Sequence, residues 1–375
     1  MTSVHPAFDV RIFHKECKSI ARAGYDVTLI AGHDRDETVD GVRLRGIARP
    51  SGRIARMLRA PWLVWRKALR EQADLFHFHD PELIPIALML RLSGKIVVYD
   101  VHEDVSIDVA FKDYIPALLR RPLAWIVNRF EKISAPCFSA LVPATPAIRQ
   151  RFADWHGRCV LVSNYPLAGE ADRISRKPWK LRSPSVAYAG IISADRGIGE
   201  IAHALSLLPK EMDFAFKLAG ACSPKCFFDE LKAAPGFNRI QVLGTISRLQ
   251  VAQLLNDSRA GLLVCRPDPV HLDAVPNKLF EYMQAGIPVI ASDLPGFRKV
   301  VERVGCGFLV NPREPKEIAG AIEYVLTHPE EAEKMGERGR EAVNAEFNWA
   351  SQERKLLELY AELLSSRPAA YANIS

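Results

Sequence analysis

No apolar run in this chain approaches the roughly 18 residues needed to span a bilayer. Stretches such as "LIPIALML" and "KIVVY" are far shorter, so none is a candidate membrane-spanning helix. A basic start followed by an apolar run is also lacking, so no signal peptide is expected and the chain is read as cytoplasmic. Cysteines are scattered and odd in number: Cys17, Cys137, Cys159, Cys222, Cys226, Cys265 and Cys306. That argues against a disulfide-stapled secreted domain and fits a reducing compartment. Cys222 and Cys226 are the one close pair, and no second Cys or His pair stands at zinc-finger spacing. "CSPKC" is therefore read as a surface turn, and no metal is expected. No repeat of fixed short period is visible.

Acid is missing from one stretch. Between Gly41 and Arg70 stand nine basic residues and no acid, within a chain of net charge +6. "RIARMLRAPWLVWRKALR" sets Trp62 and Trp65 among apolar residues there. A basic amphipathic helix with aromatics suits an anionic surface, so residues 53–70 are a candidate for peripheral attachment to the inner face of a membrane. The alternative is an ordinary helix docked on its own sheet with a solvated basic face. Nucleic acid is not an expected partner, because no recognition motif accompanies the charge.

What the chain does have is alternation. Its 375 residues exceed what one core usually organises, which suggests two domains. "DVRIFHKECKSIARAG" has helical spacing, "YDVTLIAG" reads as a strand, "ADLFHFHD" as a strand, "PELIPIALMLRLSG" as a helix and "KIVVYDVHED" as a strand. A second series begins at "SVAYAG", after the polar, Pro- and basic-rich stretch "AGEADRISRKPWKLRSPS". The expectation is an α/β protein with two tandem Rossmann-like domains facing a central cleft. Residues 1–170 form the first domain, 171–185 a linker and 186–350 the second domain. A C-terminal helix at 351–366 packs back on the first. Only "MTSV" precedes "HPAFD", so the first strand is expected to be truncated.

Ligands of open α/β sheets bind outside the carboxyl ends of strands. In the second half, "YAGIISADRGIGE" offers Gly190 for close backbone approach and Arg196 beside a helix start, which suits a diphosphate. "VPNKLFEYMQAG" places Pro276 and Asn277 at another helix start and adds Lys278. Glu281 follows Asn277 by four residues, on the same face, and a carboxylate accepts well from the two hydroxyls of a ribose. Gly220 and Gly244, each just after a strand, are further candidates for approach to the nucleotide. In the first half, "HFHDPE" puts His77 and His79 on one strand face.

Taken together, "FDVRIFHKECKSIARAGYDVTLIA", "FHFHDPELIPIALMLRLSGKIVVYDVHED", "YAGIISADRGIGE" and "PNKLFEYMQAGIPVIASDLPG" resemble the retaining glycosyltransferases of the GT-B fold, in the family-four-like group 1. The resemblance implies a nucleotide diphosphate sugar as donor substrate, no other cofactor and no metal. The acceptor it implies is a saccharide or lipid-linked hydroxyl, in cell-surface polysaccharide or glycolipid synthesis. That family's Glu-x7-Glu element places its second Glu at Glu281, on the donor ribose, and its first at Asp273, against the donor sugar. Here Asp stands in place of Glu, and Ile191 stands where the family often has Arg. His102 is the catalytic-side candidate together with Asp273. Glu103 and His79 line the acceptor side, as do Asp9 and Arg11, which stand where the family carries a Gly-rich loop. A nucleotide-sugar epimerase and an inactive nucleotide-sugar-binding protein are the alternative readings.

Overall fold

The computed structural model describes residues 1–48, 52–111, 115–167, 175–268, 272 and 275–365. The chain divides into two compact units. One is Met1–Asn164 together with the C-terminal segment from Trp349, and the other is Tyr165–Asn348.

The first unit holds two three-stranded sheets. β1 (Val27–Gly32), β2 (Glu37–Val39) and β3 (Val42–Ile47) lie in the order β1-β3-β2. β4 (Leu75–Phe78), β5 (Ile96–Val101) and β6 (Ala140–Pro143) form a parallel sheet in sequence order. The backbone of Met1–Ser3 runs between them. The Thr2 N–H donates to the Ile30 carbonyl at 2.9 Å, and the His79 N–H to the Met1 carbonyl at 3.2 Å. So a few hydrogen bonds stand where a first strand was expected, and they tie β1 to β4. Every residue of β5 and β6 is buried, as in parallel strands covered on both faces.

The helix Arg53–Ala68 turns Ala60, Val64 and Ala68 inward and leaves Trp62 exposed. The basic stretch around it is partly neutralised. Lys67 Nζ lies 2.7 Å from Asp36, Arg45 Nε 3.0 Å from Glu71, and Arg43 2.6 Å from Asp26. These acids come from outside the acid-free run, so its composition overstated the positive surface. The C-terminal helix Trp349–Ser365 packs on this same unit. Trp349 is buried and its Nε1–H donates to Ser19 Oγ at 2.9 Å, while Gln352 Oε1 accepts from the Ser163 N–H at 3.1 Å.

The second unit is one parallel sheet of β7 (Ser185–Ala189), β8 (Ala215–Ala219), β9 (Ile240–Gly244), β10 (Ala260–Leu263), β11 (Val289–Ser292) and β12 (Gly307–Val310). Its order is β12-β11-β10-β7-β8-β9, with the topological switch between β7 and β10. The unit begins at Tyr165, earlier than the expected linker at 171–185, of which 171–174 lie outside the described residues. Tyr165 packs on Phe280 and Phe347 with ring centroids at 4.8 and 5.4 Å. Trp179 and Arg182 are also buried. The Arg182 guanidinium donates to the carbonyls of Ala285 at 3.2 Å and Gly286 at 3.5 Å and lies over the Trp179 ring. The segment looked like a linker because it is polar and basic, yet its Arg and Trp point inward. Among the described residues, no helix is long and apolar enough to cross a membrane.

Replacing Trp349 by Ala should cost about 3–5 kcal/mol, the usual range for emptying a buried tryptophan site. Urea unfolding of the two proteins measures it. A loss under about 1 kcal/mol would mean that the C-terminal helix is not part of the first unit's core.

Candidate functional site

In the second unit the switch point sets the place, since strand order reverses there and opens a crevice at the strand ends. β7 ends in Tyr188, Ala189 and Gly190, and β10 leads through Val264 and Cys265 towards the helix Asn277–Gln284. Asn277 opens that helix behind Pro276, so the first-turn N–H groups have no acceptors within it. Lys278 reaches back to β7. Its Nζ donates to Tyr188 Oη at 3.2 Å and lies 4.6 Å from the ring centre. Burial, then the nearby Arg196 charge, push the Lys278 ammonium down to about 8 from 10.5, outweighing Cys265, Glu281 and Asp195.

The glycines make this approach possible. A Cβ on Gly190 would stand 2.3 Å from Lys278 Cε and Nζ, and one on Gly220 would stand 1.7 Å from the Gly190 carbonyl oxygen. The Gly190 N–H donates to Ala219 and the Gly220 N–H to Gly244, so the ends of β7, β8 and β9 are drawn tightly together. Gly220 is therefore required by its neighbouring strand, whereas Gly244 has open space where a Cβ would be. Arg196 sits just before the helix Ile198–Leu207, with its Nε 3.3 Å from Asp195. Glu281 is half-buried one turn after Asn277. Asp273 lies outside the described residues. Tyr188 and Cys265 escaped the sequence reading, although Tyr188 stands two residues before Gly190 on an apolar strand.

In the first unit the carboxyl ends of β4 and β5 carry a buried polar cluster. Asp100 is fully buried and accepts two bonds from Arg11, at 3.2 Å from Nε and 2.7 Å from Nη2. Arg11 also donates to the Val162 carbonyl at 2.9 Å and lies 3.0 Å from Glu16. Burial works to lower the Arg11 pKa, but the charges of Asp100 and Glu16 outweigh it and the net direction is up. Burial acts most strongly, to raise Asp100, but the Arg11 charge together with hydrogen bonds from His102, His77 and His79 outweighs it and holds this carboxylate well below its usual range. Glu16 goes the other way, raised by burial and by the charge of Asp100. His77 and His79 stack at 4.9 Å, as their shared strand face requires, and burial lowers both.

His102 stands at the edge of this cluster. Its Nδ1 is 3.3 Å from Asp100 and its Nε2 3.0 Å from His5 Nε2. Burial would lower its pKa, and the bond to Asp100 outweighs that, so the net direction is up. Glu103 is exposed. Asp9 caps the first helix, Val10–Cys17, accepting from the N–H groups of Arg11 at 2.8 Å and Ile12 at 3.0 Å. Asp9 and Arg11 were expected on an acceptor-facing surface. Arg11 is instead interior, because Asp100 and Glu16 draw it in, and Asp9 gives one oxygen to the helix it starts. Asp80, absent from the expected site, accepts from Thr2 Oγ1 at 2.7 Å and the Ser3 N–H at 2.6 Å.

Glu16, His77, His79 and Asp100 offer ligand-type atoms within 4.8 Å of one another. Arg11 already compensates both carboxylates, so a cation there would have to displace it. A pocket of about 400 Å³ opens between β1 and β4, lined in part by Thr28, Phe76, His77 and Tyr360. It faces largely the amino ends of those strands, so we assign no substrate to it.

Because the Lys278 pKa is lowered, the unfolded chain binds more protons than the folded one between about pH 8 and 10.5. The charge therefore costs stability in full below about 8, and the cost fades as pH rises through that window. Lys278→Met should raise the stability of the ligand-free protein at pH 7 by about 1–3 kcal/mol. The gain should shrink as pH approaches 10, measured by denaturant unfolding across the range. A destabilised variant at pH 7 would show that the ammonium is well solvated.

Comparison with known proteins bears on both units. Residues 10–164 match the family model for the glycosyl transferase 4-like domain, and residues 171–342 the model for glycosyl transferases group 1. The chain is 24% identical over 301 residues to the MMP alpha-(1->4)-mannosyltransferase of Mycolicibacterium hassiacum, spanning 78% of this chain and 72% of that protein. Sucrose-phosphate synthase from Thermosynechococcus elongatus superposes with a TM-score of 0.71 at 20% identity, over 94% of this chain and 92% of that one. Anabaena Alr3699/HepE, solved in complex with UDP-glucose, gives 0.69 at 15% identity over 92% and 94%. At such identities these likenesses show the fold alone.

Proposed function

The chain belongs to the group 1 glycosyl transferases and has their GT-B fold, and from that premise we propose that it moves a sugar from a nucleoside diphosphate sugar to a hydroxyl acceptor with retention of configuration. The observation that carries this reading is Lys278. It is a half-buried ammonium beside Tyr188, and burial and the Arg196 charge lower its pKa to about 8. An arriving diphosphate brings negative charge to Lys278 beside the N-terminus of the helix at Asn277. Arg196 takes a share of that charge. Glu281 accepts from the ribose hydroxyls, Gly190 makes room for the Lys278 side chain, and Gly244 leaves the backbone open to the nucleotide.

In the reaction, the acceptor oxygen forms its bond to the anomeric carbon on the face from which the diphosphate departs. The carbon–oxygen bond to the diphosphate breaks, and the acceptor proton passes to a departing phosphate oxygen. The protein's contribution is position and charge: Lys278, Arg196 and the helix N-terminus stabilise the negative leaving group. In the first unit, His102 and Glu103 are the proposed acceptor-side groups, with His102 oriented by Asp100 and His79 supporting it from the interior. The acceptor is a saccharide or a lipid-linked intermediate of cell-surface polysaccharide or glycolipid synthesis. The mannosyltransferase relative favours transfer over epimerisation.

A thermal-shift panel of UDP, GDP, TDP and CMP with their sugar conjugates tests this on the wild type and on Glu281→Ala. Ligand at about a hundred times its dissociation constant stabilises by about 2.7 kcal/mol. One nucleotide series should stabilise the wild type, and Glu281→Ala should need at least about tenfold more of it, the scale of a lost charged hydrogen bond. No shift with any nucleotide would remove the donor site.

A further inference from the structure

The helix Ala117–Ser134 is turned inside out. Its protein-facing side carries Glu131 and Ser134, both buried. Glu131 accepts from Tyr99 Oη at 3.1 Å and is paired with Arg151, which fixes the helix's rotation on the first unit. The opposite side is apolar and exposed: Leu118 at 90%, Leu119 at 51%, Trp125 at 66%, Ile126 at 54%, Phe130 at 43% and Ile133 at 62%. With 3.6 residues per turn these side chains fall within an arc of roughly 140°. Isolated exposed apolar residues are ordinary, whereas a contiguous patch marks an interaction surface.

The charges around the patch say what covers it. Arg121 and Lys132 flank one edge of the arc on a helical wheel, and Arg129 lies within it. The helix's one acid, Glu131, is the residue buried on the inner side. The outward side is therefore aliphatic and aromatic, with basic residues along one edge and Arg129 within it. Aliphatic side chains enter the boundary of a bilayer, a tryptophan sits at its interface, and arginine or lysine meets anionic headgroups. The helix Arg53–Ala68 does not match this pattern as well. Ala60, Val64 and Ala68 face its own sheet, and several basic residues near it are paired with acids.

We infer that the outward face of helix Ala117–Ser134 docks on an anionic phospholipid surface, with Trp125, Ile126 and Ile133 entering the interface and Arg121, Arg129 and Lys132 contacting headgroup phosphates. This attachment lies in the first unit and is independent of the donor reading.

Sedimentation of the full chain with phosphatidylcholine–phosphatidylglycerol vesicles tests it, beside pure phosphatidylcholine vesicles and with Trp125→Gln/Ile126→Gln/Ile133→Gln and Arg121→Glu/Lys132→Glu as variants. The wild type should bind the anionic vesicles, lose binding as salt rises and bind phosphatidylcholine alone more weakly. Each variant should bind at least about tenfold more weakly. An unchanged melting temperature shows that the variants fold, and an unchanged nucleotide-induced thermal shift separates this question from the donor site. Absence of wild-type binding, or equal binding by the variants, would overturn the proposal. So would a wild-type dimer that the triple variant dissolves in the absence of vesicle binding.

Discussion

A cation taken out of water must find compensating charge, and each unit of this protein is organised around one. In the first unit Arg11 is interior, and the chain supplies its anions: Asp100 in a two-point pairing, with Glu16 beside it. Around that pair the neighbouring groups settle into compatible states, with His77 and His79 lowered, Glu16 raised and His102 drawn upward by Asp100. In the second unit Lys278 is also desolvated, but what it touches is a neutral phenol, and the next strong influence is another cation. Among the described residues, Arg11 is met by a close ion pair, whereas Glu281 and Asp195 only partly offset what burial and Arg196 do to Lys278. That contrast separates a structural charge cluster from a binding site.

Backbone crowding supports the open cation. Gly220 admits the Gly190 carbonyl, and Gly190 admits the Lys278 side chain, so two missing side chains stack between β8 and the helix Asn277–Gln284. The far end of that helix is held by Arg182, whose guanidinium donates to Ala285 and Gly286. One end of the helix thus has its carbonyls satisfied by the protein, and the other presents N–H groups and a lysine. The helix dipole and the side-chain charge favour an anion at the same place.

Much of this was readable from the sequence. Strand and helix alternation gave the architecture, because parallel strands covered on both faces read as short apolar runs such as "KIVVY". The shared face of His77 and His79 followed from the strand period, and the helix start at Asn277 followed from Pro276. What escaped depends on partners far apart in the chain. Arg11 and Asp100 are 89 residues apart, and nothing local to "FDVRIF" says that its arginine points inward. Polar composition marked residues 171–185 as a linker, although within it Trp179 and Arg182 are buried. The acid-free stretch before Arg70 overstated its own positive charge, since Asp26, Asp36 and Glu71, which pair with Arg43, Lys67 and Arg45, lie outside it. The apolar residues of Ala117–Ser134 carry no outward mark in the sequence, and their exposure follows only from Glu131 being buried on the inner side.

The most direct test of the proposed donor site follows the proton on Lys278. A nucleoside diphosphate such as UDP, titrated calorimetrically into the wild-type protein at about pH 8.5, is measured in buffers of different ionisation enthalpy. A lysine lowered to about 8 is then largely uncharged, and a diphosphate beside it must restore the charge. The account predicts uptake of a substantial fraction of one proton per nucleotide bound, vanishing towards pH 6. Tight binding with no proton uptake at the higher pH would contradict it and move the diphosphate away from Lys278.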